Sequence, residues 1–227
     1  VKIPDRHEPL LRRPFSIHRL HRQNGRITGI EILYRVVGGF TRNLSEKQAG
    51  ETVDLLGPLG RGFSITAAAD RPILVAGGIG AAPMMFLAEA LSAAGKDLSA
   101  GHLFYGGRTE ADILCRAEFQ QLDLPVTVTT EDGSAGQPGM VTEPLQAWIA
   151  DHRPDVIYAC GPHGMLSAVT DIAGGHGIYC EVSIETVMAC GLGVCMGCAI
   201  ETRDKPEGYR HVCRDGPVFD AKMLKFL

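Results

Sequence analysis

Positive charge is in short supply in this sequence: 22 Lys and Arg stand against 26 Asp and Glu, for a formal net charge of −4. Without a basic excess there is no electrostatic case for nucleic acid, or for an anionic membrane surface, as a partner. No apolar run reaches the length that crosses a bilayer, so no membrane role is expected, and no signal-peptide pattern is visible. An even disulfide framework is missing as well, since there are seven Cys and four of them gather toward the C-terminus at metal-ligand spacing. Such thiols belong in a reducing compartment, and a cytoplasmic protein is the expectation. The eight His show no metal-ligand spacing and read as surface or capping residues. The 227 residues suffice for a real core and for one large or two modest domains.

What the chain does contain is Cys190-Gly191-Leu192-Gly193-Val194-Cys195-Met196-Gly197-Cys198, with Cys213 beyond a charged, turn-rich insert. Four residues and then two residues separate the first three cysteines, the spacing with which a plant-type ferredoxin holds a 2Fe-2S cluster. Zinc is the competing reading, although a zinc ribbon usually offers two CxxC knuckles and only Cys195 and Cys198 are so spaced. Gly191, Gly193 and Gly197 allow tight turns that aim N–H groups at sulfur, which favours a negatively charged cluster. A 2Fe-2S cluster carries one electron at a time, so the remaining chain is expected to show where electrons enter and leave. Glu185, just before the loop, reads as a solvated acid or a partner contact.

From residue 70 to residue 185 strands and helices alternate. Pro72-Ile73-Leu74-Val75-Ala76 reads as a buried strand, followed by Gly77-Gly78-Ile79-Gly80-Ala81-Ala82-Pro83 and an Ala-rich helix whose core stripe is Met84, Leu87 and Leu91. Strand, glycine loop and helix in that order bring backbone amides and a helix N-terminus against a diphosphate. The loop departs from G-x-G-x-x-G because Pro83 stands at the last glycine, and no acidic residue sits where a ribose partner is expected. Further strands are predicted at 102–105, 125–130, 155–159 and 178–184, with helices over 110–122, 141–150 and 165–172. These units predict an α/β, doubly wound parallel sheet with ligands at the strand C-terminal ends. The glycine loop, Gly106-Gly107-Arg108-Thr109, Glu131-Asp132-Gly133 and Cys160-Gly161-Pro162 all fall at such ends, which points to one nucleotide site built from several loops. Cys160 by itself reads as a small buried residue, and Cys115, on a predicted helix, and Cys180, in a predicted strand, read as core.

Residues 1–69 read as short strands and turns: a strand over 26–37, another over 53–56 stopped by Gly57-Pro58, and a short helix over 41–48 ended by Gly50. Ahead of them stands Arg12-Arg13-Pro14-Phe15-Ser16-Ile17. Guanidinium can grip a diphosphate bidentately, a ring can stack and a hydroxyl can reach a ring nitrogen, so these residues suit a phosphorylated aromatic cofactor. A solvated basic turn is the plainer reading of the same run.

Taken in order, Arg13-Pro14-Phe15-Ser16, Gly57-Pro58-Leu59-Gly60, Gly77-Gly78-Ile79-Gly80, Cys160-Gly161-Pro162 and the C-terminal cysteines resemble the ferredoxin-NADP reductase superfamily. Within it the chain is similar, over nearly its whole length, to the electron-transfer subunits of B-type dihydroorotate dehydrogenases. The resemblance implies a small FAD-binding β-barrel over 1–69, an NAD-binding parallel α/β domain over 70–185 and a 2Fe-2S extension over 186–227. The extension would face an FMN-containing catalytic subunit that oxidises dihydroorotate to orotate in pyrimidine biosynthesis, the two subunits forming a heterotetramer. Cys190, Cys195, Cys198 and Cys213 would hold the cluster. Arg13, in its Arg-Pro14 step, would hold the FAD diphosphate, Phe15 would lie beside the flavin and Ser16 would address its N5 region. Tyr34 and Arg35 would supply a second flavin-contacting strand and Thr41 a second diphosphate contact. Gly78 and Gly80 would line the nucleotide loop, with Cys160, Gly161 and Pro162 near the nicotinamide, and Arg108 and Asp132 at a ribose or phosphate. Residues 1–11 are fewer than the family places before its arginine motif, so the barrel is expected to lack its first strands. No side chain is implied as a strong acid or base, because a flavin placed between nicotinamide and cluster converts a hydride into single electrons. Two other classes fit the same motifs. One is a diaphorase subunit of another oxidoreductase, such as a sulfide dehydrogenase or a transhydrogenase-type flavoprotein. The other is a non-enzymatic iron-sulfur or zinc regulatory subunit.

Overall fold

Asn24-Gly25 is a turn pair, and both residues take positive φ to close an antiparallel ribbon of β1 (Arg19–Gln23) and β2 (Arg26–Glu31). The computed structural model describes residues 1–4, 8, 10–65, 69–203 and 208–226. β2 stops at Glu31, short of the strand expected over 26–37, because the exposed stretch through Val36 and Val37 finds no ladder partner among the described residues. A short helix, α1 (Gly39–Ser45), follows, with Thr41 Oγ1 accepting the N–H groups of Val37 at 2.9 Å and Gly38 at 3.1 Å. The strand expected over 53–56 is reduced to one bridge between Asp54 and Lys2. Of the expected barrel, the described residues thus hold the β1–β2 ribbon and this bridge.

The next element, β3 (Pro72–Gly77), is buried at all six positions, as a strand covered on both faces must be. After it come α2 (Ala81–Ala93), β4 (His102–Gly107), α3 (Arg116–Gln120), β5 (Val126–Thr130), β6 (Gln137–Pro138), α4 (Thr142–Asp151), β7 (Val156–Cys160), α5 (His163–Gly175) and β8 (Tyr179–Ser183). A hairpin of β9 (Ala199–Thr202) and β10 (Gly208–His211), a single turn α6 (Val212–Asp215) and β11 (Val218–Asp220) complete the chain. The main sheet has seven strands in the order β11-β8-β7-β3-β4-β5-β6, parallel except for β11. The chain starts at the middle with β3, moves outward through β4 and β5, then crosses back to β7. The strand order therefore reverses between β3 and β7, the topological switch point at which open α/β sheets bind ligands.

Two cores flank the sheet. Met84, Leu87 and Leu91 of α2, with Phe119 and Leu124, pack one face; Leu145, Ile149, Leu166 and Val169 pack the other. The helix expected over 110–122 is broken: Cys115 takes φ +56 and only 116–120 is α-helical. Cys115 therefore does not sit on a helix but half-buried at its start, with Sγ 3.8 Å from His18 Nε2. His18 and His211 are buried, against the expectation that histidines lie on the surface, because both are trapped where separate segments meet.

The C-terminal extension is no loose appendage. Cys198, Val212, Cys213 and Phe219 belong to the same core as α4 and α5, and β11 pairs with β8. The N-terminal region docks against this extension by main chain: Arg61 N–H donates to Gly216 O at 2.6 Å and Val218 N–H to Arg61 O at 3.3 Å. Gly60, at φ +77, lies so close that a Cβ there would stand 2.4 Å from Gly216 O. Gly60→Ala is expected to destabilise the protein by about 2 kcal/mol or more through this clash and the left-handed backbone, a fall of roughly 4–8 °C in Tm measurable by thermal unfolding. An unchanged Tm would show that this junction is not under constraint.

Candidate functional site

Glycine is required where β3 ends because two main chains touch there. A Cβ on Gly80 would lie 2.2 Å from Cys160 O, and one on Gly77 would lie 2.6 Å from Pro162 Cδ. The loops carrying Gly78, Gly80, Cys160, Gly161 and Pro162 are thus brought together at the switch point, as the sequence pattern expects of one site. Cys160 is fully buried and its thiol is pushed up to about 12, chiefly by burial and then by the charge of Glu185. It is a neutral thiol at neutral pH and supplies bulk and shape beside the loop, not a nucleophile.

Arg108 and Asp132 meet at the ends of β4 and β5, where Asp132 N–H donates to Arg108 O at 3.2 Å. Asp132 Oδ1 accepts the N–H and the hydroxyl of Ser134 at 2.9 and 2.6 Å, and these bonds hold its carboxyl below the usual range. Sequence reasoning missed the two residues that organise this edge. Tyr105, buried on β4, points its hydroxyl at the carbonyls of Gly78 (3.0 Å) and Asp112 (3.1 Å) and accepts Leu114 N–H at 2.7 Å. Asp112 accepts Arg35 Nη2 at 2.5 Å on one oxygen, and Arg108 N–H at 3.1 Å and Nε at 3.4 Å on the other. Burial alone would raise this carboxyl, but the hydrogen bonds from Arg35 and Arg108 outweigh it and bring it below 3.8. The stabilisation it contributes is complete above the ordinary carboxylate value and is lost only as pH falls through the lowered one, so the contact is closed at every physiological pH.

On the N-terminal side the two adjacent arginines separate in role. Arg12 is committed to Asp54, with Nη2 at 2.5 Å from Oδ2 and Nη1 at 3.2 Å from the carbonyl. Arg13 donates to the main-chain oxygens of Leu11 and Arg12 and meets no carboxylate among the described residues. Of the two arginines, it is the one without a carboxylate among the described residues. Phe15 packs edge-on to Tyr34 with centroids 5.8 Å apart and against Phe40 at 5.9 Å, while Pro14 and Ser16 are exposed beside it. An uncommitted guanidinium, an aromatic group and an exposed hydroxyl fit a flavin dinucleotide. Thr41 spends its hydroxyl on the start of α1.

The hairpin explains how Cys213 joins the first three cysteines. Ala199 pairs with His211, so Cys198 lies opposite Val212, whose N–H donates to Cys198 O at 3.1 Å, and the thiols of Cys198 and Cys213 approach to 3.2 Å. Cys195 lies against Cys190, and its N–H is directed at the Cys190 sulfur. N–H groups of Leu192 and Cys195 point at Cys190 Sγ, both at 3.4 Å, and Gly193 N–H points at Cys213 Sγ at 3.1 Å. These donors lower Cys190 to about 6, whereas burial and the Cys198 thiol raise Cys213. Among the described residues no three His, Cys, Asp or Glu converge as ligands of a single ion. Amide N–H groups aimed at the sulfurs suit a negatively charged iron-sulfur cluster. Cys198 and Cys213 are buried, and Cys190 and Cys195 lie toward solvent.

Residues 74–171 match the oxidoreductase NAD-binding domain, and residues 185–225 match the iron-sulfur cluster binding domain of dihydroorotate dehydrogenase B. Fold and site together define an oxidoreductase of the ferredoxin-NADP reductase architecture with an iron-sulfur extension. The chain is 38% identical over 217 residues to the dihydroorotate dehydrogenase B (NAD(+)) electron transfer subunit of Caldanaerobacter subterraneus subsp. tengcongensis, covering 95% of this chain and 81% of that one. It is 40% identical over 223 residues to the subunit of the same name from Geobacillus kaustophilus, covering 97% and 82%. Among solved structures, that of an NADH-dependent reduced ferredoxin-NADP oxidoreductase superimposes with a TM-score of 0.75 at 29% identity, covering 93% of this chain and 78% of that one. The chain belongs to the family of dihydroorotate dehydrogenase B electron transfer subunits.

Burial keeps the Cys160 thiol in its neutral form at pH 7.5 and shuts the side chain off from solvent. Iodoacetamide treatment of the native protein followed by peptide mass spectrometry is expected to leave Cys160 and Cys180 unmodified until denaturant is added. Rapid labelling of Cys160 in the native state would instead mark it as an accessible, activated thiol.

Proposed function

We propose that this chain passes electrons between the FMN of a dihydroorotate-oxidising partner and NAD, by way of a 2Fe-2S cluster and FAD. The observation that carries this reading is a four-way main-chain junction. Cys160 at the end of β7 pairs with Ser183, Ser183 pairs with Val218, and Val218 N–H reaches Arg61 of the flavin-side region. Cys213 lies five residues before Val218 in the same buried segment. These contacts set the Cys160 corner, the Arg61 region and the segment of Cys213 side by side, which supports short electron-transfer distances between the cofactors they would hold. FAD, when bound, takes two electrons as hydride from a nicotinamide and releases them singly.

In this reading the chain places and tunes; it needs no acid or base. Cys190, Cys195, Cys198 and Cys213 would hold the 2Fe-2S cluster, and the N–H groups of Leu192, Gly193 and Cys195, aimed at the sulfurs, would tune its potential. Arg13 grips the FAD diphosphate, with Pro14 shaping the turn. Phe15, Tyr34 and Ser16 border the ring, and Thr41 holds the start of α1 beside it. Gly78 and Gly80 admit the NAD diphosphate against backbone, Cys160, Gly161 and Pro162 border the nicotinamide, and Arg108 and Asp132 address a ribose or phosphate. Exposed Val187, Leu192, Val194 and Met196 around the outer thiol pair offer the partner an apolar contact. The three functions divide over residues 1–69, 70–185 and 186–227. No helix among the described residues is long and apolar enough to cross a membrane, and the seven free thiols suit the reducing cytosol.

The likeness to an NADH-dependent reduced ferredoxin-NADP oxidoreductase favours one second reading, in which the same module serves a transhydrogenase-type flavoprotein. Both readings expect flavin bands and a broad iron-sulfur shoulder in the absorbance spectrum of anaerobically purified protein, both bleaching on addition of NADH. They part at the next step: dihydroorotate should reduce these bands only when the FMN-containing partner is added, and a reconstituted pair that leaves them oxidised would refute the first reading. Cys213→Ser is expected to abolish the iron-sulfur shoulder while flavin absorbance persists, measured together with iron content.

A further inference from the structure

We propose that Asp112 is a positioning residue for hydride exchange: its carboxylate is a clasp that holds the flavin-side segment of Arg35 against the nucleotide-side loop. The inference rests on the electron-transfer reading and deepens it. Asp112 and Arg35 are 77 positions apart in sequence, and the Asp112 side chain is only 12% exposed. A carboxylate so deeply placed is costly unless charged donors meet it, and here Arg35 takes one oxygen while Arg108 takes the other twice.

The stretch over 32–37 has no ladder partner among the described residues, so its register against the nucleotide domain is not set by a sheet. The Arg35–Asp112 contact supplies that register. Arg35 Nη2 stands 4.0 Å from where a Cβ on Gly78 would be, inside the nucleotide loop. Tyr105 links the same two points from below, with its hydroxyl at the carbonyls of Gly78 and Asp112. On the other side Tyr34 packs on Phe15. A continuous chain of contacts therefore runs from Phe15 through Tyr34, Arg35, Asp112 and Tyr105 to Gly78. It joins the group that borders the flavin to the loop that receives the nucleotide. In the exchange NADH loses a hydride, two electrons with one proton nucleus, to become NAD+, and the flavin gains them. A misplacement of about 1 Å between such reactants costs on the order of 100-fold in rate.

The test compares Asp112→Asn, Asp112→Glu, Arg35→Gln and the double variant Asp112→Asn/Arg35→Gln in holoprotein. Hydrogen–deuterium exchange should speed up in residues 34–38 and 108–114 together when either single change is made. At saturating NADH the rate of flavin reduction, per flavin bound, should fall roughly 10- to 100-fold, with the NAD+ dissociation constant shifted less than about threefold and cluster absorbance retained. Asp112→Glu should recover part of the rate, and the double variant should be no slower than the worse single one. The proposal is overturned if exchange quickens only in 108–114, if the rate is unchanged, or if the two losses multiply. Should Asp112→Asn fail to fold with its flavin, Arg35→Gln at the exposed end carries the same comparison. Wild-type protein whose flavin NADH does not reduce would refute the functional reading, while the exchange data would still decide the clasp.

Discussion

Two main chains in contact at the C-terminal edge of the sheet constrain the rest of this molecule. The helical turn after β3 carries Gly80 against the carbonyl of Cys160, closer than any side chain permits. That approach exists because β3 and β7 are hydrogen-bonded neighbours at the point where strand order reverses. Once it is made, the glycine loop, the Cys160-Gly161-Pro162 corner and the start of α2 occupy one place. Each outer element is then aligned to it: β4 brings Tyr105 beneath the loop, and β8 brings Ser183 beside Cys160.

A second main-chain contact, Gly60-Arg61 on Gly216-Pro217, extends that alignment to the cluster region. Of the two partners, Gly216-Pro217 leads directly into β11 of the main sheet, so the docked Gly60-Arg61 backbone is referenced to that sheet. The side chains reinforce it. Glu181, buried on β8, accepts both the N–H and the hydroxyl of Ser64 at 2.8 Å, and Tyr158 donates to Ser64 O at 2.7 Å. Electron transfer falls off steeply with distance, so an electron-transfer subunit benefits from junctions that hold cofactors at fixed separation, whereas a hinged reductase would not. The asymmetry of the thiol pairs serves the same end, with Cys198 and Cys213 anchored in the core and Cys190 and Cys195 presented outward.

Much of this was legible from local pattern. The cysteine spacing, the glycine loop after a buried strand and the Met84, Leu87, Leu91 stripe are short-range features whose chemistry depends on neighbours a few residues away. The broken helix around Cys115 was not legible, because a left-handed residue at that position and its contact with His18, 97 positions away, leave no mark in the local pattern. The truncated β2 was missed for a related reason, since β-branched residues such as Val36 and Val37 favour strands only where a neighbouring strand exists to pair. Buried His18 and His211 were hidden because burial at a junction of segments leaves no periodic trace.

The amino-acid sequence by itself determined the chemistry available: four thiols at ferredoxin spacing, a glycine loop between a buried strand and a helix, one arginine motif beside an aromatic ring, and alternating units that close into a parallel sheet. These follow from covalent spacing and local backbone freedom. Only the tertiary structure decided how the parts meet. It brought the Cys198 and Cys213 thiols together, assigned Arg12 to Asp54 and left Arg13 without a carboxylate among the described residues, and seated Gly60 on Gly216. It also gave Arg35 a buried carboxylate 77 positions away. Such contacts arise from sheet order and packing, and sequence separation carries no signal of them.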